Sequence, residues 1–125
     1  APVPQPTTRR KLVRHSAVFE EDSRDLFAID SAHAMPRGEW LRTHMPARVR
    51  APGTYSAYSN YSTSMAGYIV ERVSGIPWAT YIEQRILQPL GMTHTTGRQP
   101  LPASLAPDMS VGYGYEAGKF VPKQF

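Results

Sequence analysis

A chain of 125 residues, 41% hydrophobic and 10% aromatic, is long enough to bury one modest core. The formal net charge of +4 rests on Arg9, Arg10, Lys11 and Arg14 near the start. No aromatic stacking motif or groove-reading helix accompanies them, so a nucleic-acid partner is not expected. With no cysteine there is no disulfide, thiol nucleophile or thiolate metal site, and no apolar run approaches the ~20 residues that span a bilayer.

In chain order, residues 1–11 read as a flexible leader, because Pro2, Pro4 and Pro6 block both helix and ladder hydrogen bonding. Leu12 to Ala34 mixes Leu12, Val13, Val18 and Phe19 with the acids Glu20, Glu21, Asp22 and Asp25, then Leu26, Phe27 and Ile29; one or two short helical turns are expected. Gly38 to Met45 is bracketed by Pro36 and Pro46, with Trp40, Leu41 and Met45 on one helical side and Arg42 and His44 away from it, which predicts a two-turn helix. Val49 to Tyr58 contains the turn dipeptide Pro52-Gly53 and reads as a short extended segment or tight loop.

The clearest element follows Asn60, where Met65, Ile69 and Val73 recur every fourth residue, joined by Ala66 and Val70. Ser74-Gly75 ends it with a left-handed cap, and Pro77 opens a second helix. That helix sets Trp78, Ile82 and Ile86 on one face, flanked by Tyr81 and Leu87, and closes at Pro89 and Gly91. The expected product is a helical hairpin with a very short link. Beyond Gly97 come Pro100, Pro102 and Pro107, then Val111 to Tyr115 with interleaved glycine and a possible strand at Phe120-Val121.

Few residues carry recognisable chemistry. His15, His33 and His44 have no spacing that converges on a metal from one helix face and read as surface residues, so neither metal nor cofactor is expected. Glu20, Glu21, Asp22 and Asp25 lack the alternating ligands and central glycine of a calcium loop and read as a solvated face. Tyr58-Ser59-Asn60 gathers hydrogen-bonding side chains at a loop-to-helix junction. Taken alone the tripeptide favours a structural role, since Ser and Asn are preferred helix caps and a tyrosine one turn away is often core.

The wider context changes that weighting. Pro52 to Asn60, then Gly67-Tyr68-Ile69-Val70-Glu71-Arg72-Val73-Ser74-Gly75, then Pro89-Leu90-Gly91-Met92, resembles the class C β-lactamase, D-alanyl-D-alanine peptidase and carboxylesterase group of serine hydrolases. That group carries a Pro-Gly turn, a Tyr-x-Asn motif, a helix ending in Val-Ser-Gly and a Pro-Leu-Gly-Met phrase in this order. Upstream, Leu12-Val13-Arg14-His15-Ser16-Ala17-Val18-Phe19 is similar to the family's Leu-Leu-x-His-Thr-Ser-Gly-Phe, departing at Val18 where glycine is usual. Glycine there commonly permits a backbone shape that valine disfavours.

The resemblance implies a mainly helical chain with short extended segments, part of the helical domain of the α/β, penicillin-recognising β-lactamase fold. It implies that Tyr58 is catalytic, passing protons to and from a nucleophilic serine, and that Asn60 binds the substrate's amide or acyl side chain. A phenol with an ordinary pKa of ~10 is a poor base at neutral pH, so a nearby cation is required. The nucleophile should lie in a Ser-x-x-Lys motif, yet no serine in the chain has lysine three residues later. The family's third motif is missing too; His94-Thr95-Thr96-Gly97 looks similar but carries an extra residue and reads as a loop.

The expectation is therefore an internal piece of a serine hydrolase acting on ester or amide substrates, with residues 12–115 a partial domain and 116–125 a truncated tail or strand. The serine-lysine motif would precede residue 1 and the third motif would follow residue 125. The alternative is a non-catalytic helical binding or structural module, or a degenerate homologue. Family resemblance points to a periplasmic or secreted setting. Helix faces that have lost their packing partners would favour a homodimer or a swapped oligomer.

Overall fold

The computed structural model describes residues 5–22, 24–28 and 31–123. The first helix, α1, spans Arg9–Val13, and Thr8 caps it by accepting from the Lys11 N–H. Arg9, Arg10 and Lys11 therefore form a helical turn, correcting the leader reading for those three residues: a threonine cap starts a helix as soon as the prolines end. Most of the proline-rich start, residues 1–4, lies outside the described residues.

A single 3₁₀ turn, Ser31–His33, precedes α2 at Arg37–Thr43, with Pro36 at its cap. The long helix α3 spans Asn60–Ser74 and ends on Gly75 at φ 70°, the left-handed cap expected from Ser74-Gly75. Helix α4, Trp78–Ile82, runs on into a π turn at Glu83–Leu87. A second 3₁₀ turn at Ala106–Asp108 leads to strands β1, Gly112–Glu116, and β2, Lys119–Lys123, paired antiparallel with Tyr115 opposite Phe120. Ala117 and Gly118, both at positive φ, form the two-residue turn, so one hairpin crosses the boundary expected after residue 115.

The core forms where α1 and α2 meet α3. Leu12, Ala17, Phe19, Trp40, Leu41 and Tyr61 are buried together, with Met65, Ala66, Tyr68 and Ile69 packed against them. Phe19 meets Tyr61 edge to face at 4.9 Å, and the Tyr61 hydroxyl donates to the Leu41 carbonyl at 2.9 Å. Burial pushes the Tyr61 phenol up from its ordinary pKa. That hydrogen bond satisfies the polar end of an otherwise apolar side chain.

Glu71 braces the short α3–α4 link by joining both helices. Its carboxylate accepts the Trp78 N–H at 2.9 Å, satisfying a first-turn donor of α4, and takes the Arg37 guanidinium at 3.3 Å. Arg37 also lies over the Trp78 ring, 5.5 Å from its centroid. Gly67 permits this approach, because a Cβ there would stand 2.9 Å from Arg37 Nη1.

Three face assignments differ from the periodicity. Met45 is exposed while His44 is half-buried and stacked on Trp40 at 5.3 Å, because α2 ends at Thr43 and the chain turns. Val73 is 80% exposed, since the last turn of α3 runs past the core. Leu87, not Ile86, is buried: the π turn inserts one extra residue and moves the buried position along by one.

Val18 sits at φ 56° and is almost fully buried. The valine thus holds the left-handed shape for which glycine is usual in the similar family phrase. Replacing a buried valine by glycine ordinarily costs about 2 kcal/mol of burial and about 1 kcal/mol of chain entropy. Relief of left-handed strain returns about 1–2 kcal/mol. Val18→Gly is therefore expected to lower unfolding free energy by only about 1–2 kcal/mol in urea titration, by that same balance; a loss of the full ~3 kcal/mol would show that no strain is held there.

Candidate active-site corner

The segment 51–60 is fixed against the chain that follows α1. Gly53 N–H donates to the Ser16 carbonyl at 2.7 Å, Ala57 N–H to the His15 carbonyl at 2.7 Å, and Ser56 Oγ to the Arg14 carbonyl at 3.3 Å. Gly53 follows buried Pro52 at φ 96°, a conformation glycine adopts without cost. Ser59 is buried and caps α3, its hydroxyl accepting the Ser62 N–H at 3.1 Å. The residues on either side of Ser59 are thereby presented together at the helix start.

Tyr58 is 66% exposed, with its ring against His15 at 4.7 Å between centroids. Its hydroxyl donates to Asn60 Oδ1 at 3.0 Å. His15 Nδ1 accepts the Ser59 N–H at 3.3 Å, which leaves the ring proton of neutral His15 on Nε2. Asn60 Nδ2 donates to Glu21 Oε1 at 2.6 Å, and the Asn60 backbone N–H to Glu21 Oε2 at 2.9 Å. The structure thus brings Tyr58 and Asn60 into one hydrogen-bonded group and adds His15 and Glu21 to it.

Both additions correct the sequence reading. His15 is half-buried under Tyr58 rather than a free surface histidine, because its carbonyl and ring each take a donor from residues 57–59. Glu21 is bonded to the start of α3, not merely solvated with its acidic neighbours. The similar phrase Leu-Val-Arg-His-Ser could have pointed to His15; the 39-residue separation of Glu21 from Asn60 left no sequence signal.

Glu21 is also part of the wall of a cleft of about 540 Å³ that includes Glu20, Asp22, Arg24, Asp25 and His44. The hydrogen bond from Arg24 holds the Asp22 carboxyl down at about 2, and His44 Nε2 lies 3.2 Å from Asp25 Oδ2. No three metal-ligating side chains gather among the described residues. His94 to Gly97 is irregular, as expected of a loop, with Thr96 Oγ1 donating to Glu83 Oε1 at 2.8 Å. The Arg98 hydrogen bond, followed by that of Thr96, holds Glu83 below the usual carboxylate range. This group fastens the loop to the end of α4 and lies away from Tyr58.

A phenol, a carboxamide, an imidazole and a carboxylate in one exposed group can pass a proton and orient an amide. Of the serines beside this group, Ser59 is occupied as a helix cap and Ser62 is fully buried.

The beta-lactamase family model matches residues 1–125. Among curated relatives, a protein assigned as the penicillin-binding protein PbpX of Bacillus subtilis is 38% identical over 77 residues, 58% of this chain and 18% of that protein. Among solved structures, the octameric penicillin-binding protein homologue from Pyrococcus abyssi superposes with a TM-score of 0.73 at 26% identity, covering 98% of this chain and 30% of that one. The D-amino acid amidase from Ochrobactrum anthropi shares the fold, with a TM-score of 0.67 at 22% identity over 89% of this chain and 31% of that one. The chain thus spans about a fifth of that curated relative and about a third of each structural neighbour.

Proposed function

Because this chain belongs to the beta-lactamase family, we propose that it supplies the Tyr-x-Asn corner of a serine hydrolase active site. The hydrolase acylates its serine with an ester or amide substrate: a β-lactam, a D-alanyl peptide or a carboxylester. Tyr58 moves the proton to and from the serine, and Asn60 holds the substrate amide. The serine-lysine pair comes from outside these 125 residues, which form part of the helical region of the β-lactamase-like fold. The observation that supports this reading best is the exposed Tyr58 hydroxyl, donating to Asn60 Oδ1 at 3.0 Å while its ring lies on His15.

As the phenolate, Tyr58 can take the serine proton, and the phenol so formed donates to Asn60 Oδ1, the arrangement present here. Such a geometry suits general acid–base work once a cation lies beside it. The test compares the isolated chain with the product of the full coding frame, using a fluorescent penicillin and p-nitrophenyl acetate. The full product is expected to form an acyl adduct on the serine of a Ser-x-x-Lys motif, and the isolated chain none above a denatured control. An adduct on any serine of the isolated chain would overturn the assignment.

The same reading carries an association prediction. Val73, Ile86, Tyr113, Tyr115 and Phe120 are exposed, whereas Met65 and Ile69 lie against the core. Apolar surface is thus open at the end of α3, on the turn after α4 and on the β1–β2 ribbon, and surface of this kind favours self-association. Light scattering of the isolated chain is expected to give a mass above its 14.0 kDa; a mass that stays monomeric at every concentration would count against it.

A further inference from the structure

The contacts around Asn60 carry one inference further, resting on the reading of Tyr58 and Asn60 given above. An asparagine carboxamide has two ends of opposite hydrogen-bonding character, and either can face a given neighbour. Here both ends are specified. Nδ2 meets Glu21 Oε1 at 2.6 Å, and Oδ1 takes the Tyr58 hydroxyl at 3.0 Å. A carboxylate accepts only, so Glu21 forces the donating end of the amide toward itself and the accepting end toward Tyr58. Its second oxygen takes the Asn60 backbone N–H at 2.9 Å, so one carboxylate grips the residue by backbone and side chain together.

We propose that Glu21 is a positioning residue for the acylation reaction: by fixing the orientation of the Asn60 amide it points an acceptor at Tyr58, so that the phenolate meets no donor there and the phenol formed when it takes the serine proton donates that proton to Asn60 Oδ1. Glu21 touches neither substrate nor serine and acts through Asn60. The plain alternative is that it only satisfies a first-turn N–H of α3. One oxygen suffices for that, and the side-chain bond to Nδ2 is then incidental.

Glu21→Gln separates the two roles. The glutamine oxygen still accepts the Asn60 backbone N–H, so the helix start is kept. Its amide nitrogen now meets Asn60, which turns over to accept from it and aims Nδ2 at the Tyr58 oxygen. The Tyr58 phenolate is then held by a donor before it takes the serine proton, and the phenol that forms has lost its acceptor. The titratable groups facing this relay are Glu21 itself and His15, whose ring lies on Tyr58, and both must be considered in reading a pH profile.

The experiment uses the full-length protein with p-nitrophenyl acetate, comparing wild type, Glu21→Gln and Tyr58→Phe. Glu21→Gln is expected to lower kcat on the order of tenfold or more, within the range general acid–base groups contribute. The limb of the kcat/KM profile that reports the base should move to lower pH, since a donor on the phenol oxygen favours the phenolate. The thermal midpoint should stay within a degree or two of wild type, as the α3 cap is retained. Wild-type kcat and pH profile in Glu21→Gln, alongside a large loss in Tyr58→Phe, would overturn the positioning role and leave the site intact. Wild-type kcat in both variants would overturn the reading of the site itself.

Discussion

Tyr58→Phe in the full-length protein is expected to lower kcat/KM for ester hydrolysis by about 10²–10⁴-fold, the range that a positioned acid–base group contributes. Removing the hydroxyl takes away the one polar atom of Tyr58 and leaves the ring on His15, so packing is kept. Stability should barely change, because the ring is 66% exposed and its hydroxyl makes a single surface hydrogen bond. The loss should fall on kcat more than on KM, as an interaction made in the transition state requires. Steady-state kinetics with p-nitrophenyl acetate, together with a thermal scan, checks both halves. A variant with wild-type kcat would remove Tyr58 from the reaction and with it the central role proposed for this segment.

The second large effect concerns the core. Trp40 is 93% buried, given its 7% exposure, and packs beside Tyr61 and His44 where α2 crosses α3. Truncating it to alanine is expected to cost about 3–5 kcal/mol, as for other large aromatic truncations. That is a large share of the ~5–15 kcal/mol that holds a domain together. Its indole Nε1 has no hydrogen-bond partner among the described residues. Trp40→Phe, which removes that buried donor and keeps most of the ring, should therefore cost far less, about 1 kcal/mol. Urea titrations of the two variants give the comparison. Equal losses would mean that the indole nitrogen is satisfied and that its bond, not ring volume, supports the contact.

Much of this was readable from residue order. The fourfold spacing of Met65 and Ile69, Gly75 after the last apolar position and Pro77 at the next helix start all act within a few residues, and the hairpin α3–α4 follows from them. Pro36 likewise sets the start of α2, which ends at Thr43, short of the expected Met45. Local rules reached their limit where a distant group decides the outcome. Glu71 joins α2 to α4 through Arg37 and Trp78, and Glu21 reaches Asn60 across 39 positions, contacts that no short-range pattern encodes.

The candidate site divides in the same way. Tyr58 and Asn60 lie two residues apart at a capped helix start, so their proximity was legible in the sequence. The roles of His15 and Glu21 depended on how the chain after α1 folds back onto residues 51–60. Val18 offered the one clue to that fold-back, a residue at odds with the glycine of the similar phrase, and its φ of 56° is a shape that glycine adopts more readily.

The π turn at Glu83–Leu87 can also be understood in terms of insertion and deletion. Trp78 and Ile82 are half-buried and Leu87 is buried, at spacings of four and then five. A plain α-helix aligns inward positions at intervals near four, so the second spacing holds one residue more than the buried face requires. Gln84 is exposed and makes no side-chain hydrogen bond among the described residues. Removing it would return the spacing to four and keep Leu87 in line with Ile82, with Glu83 still in place for Arg98 and Thr96. A chain one residue shorter at this point would differ in helix winding and keep the same packed face.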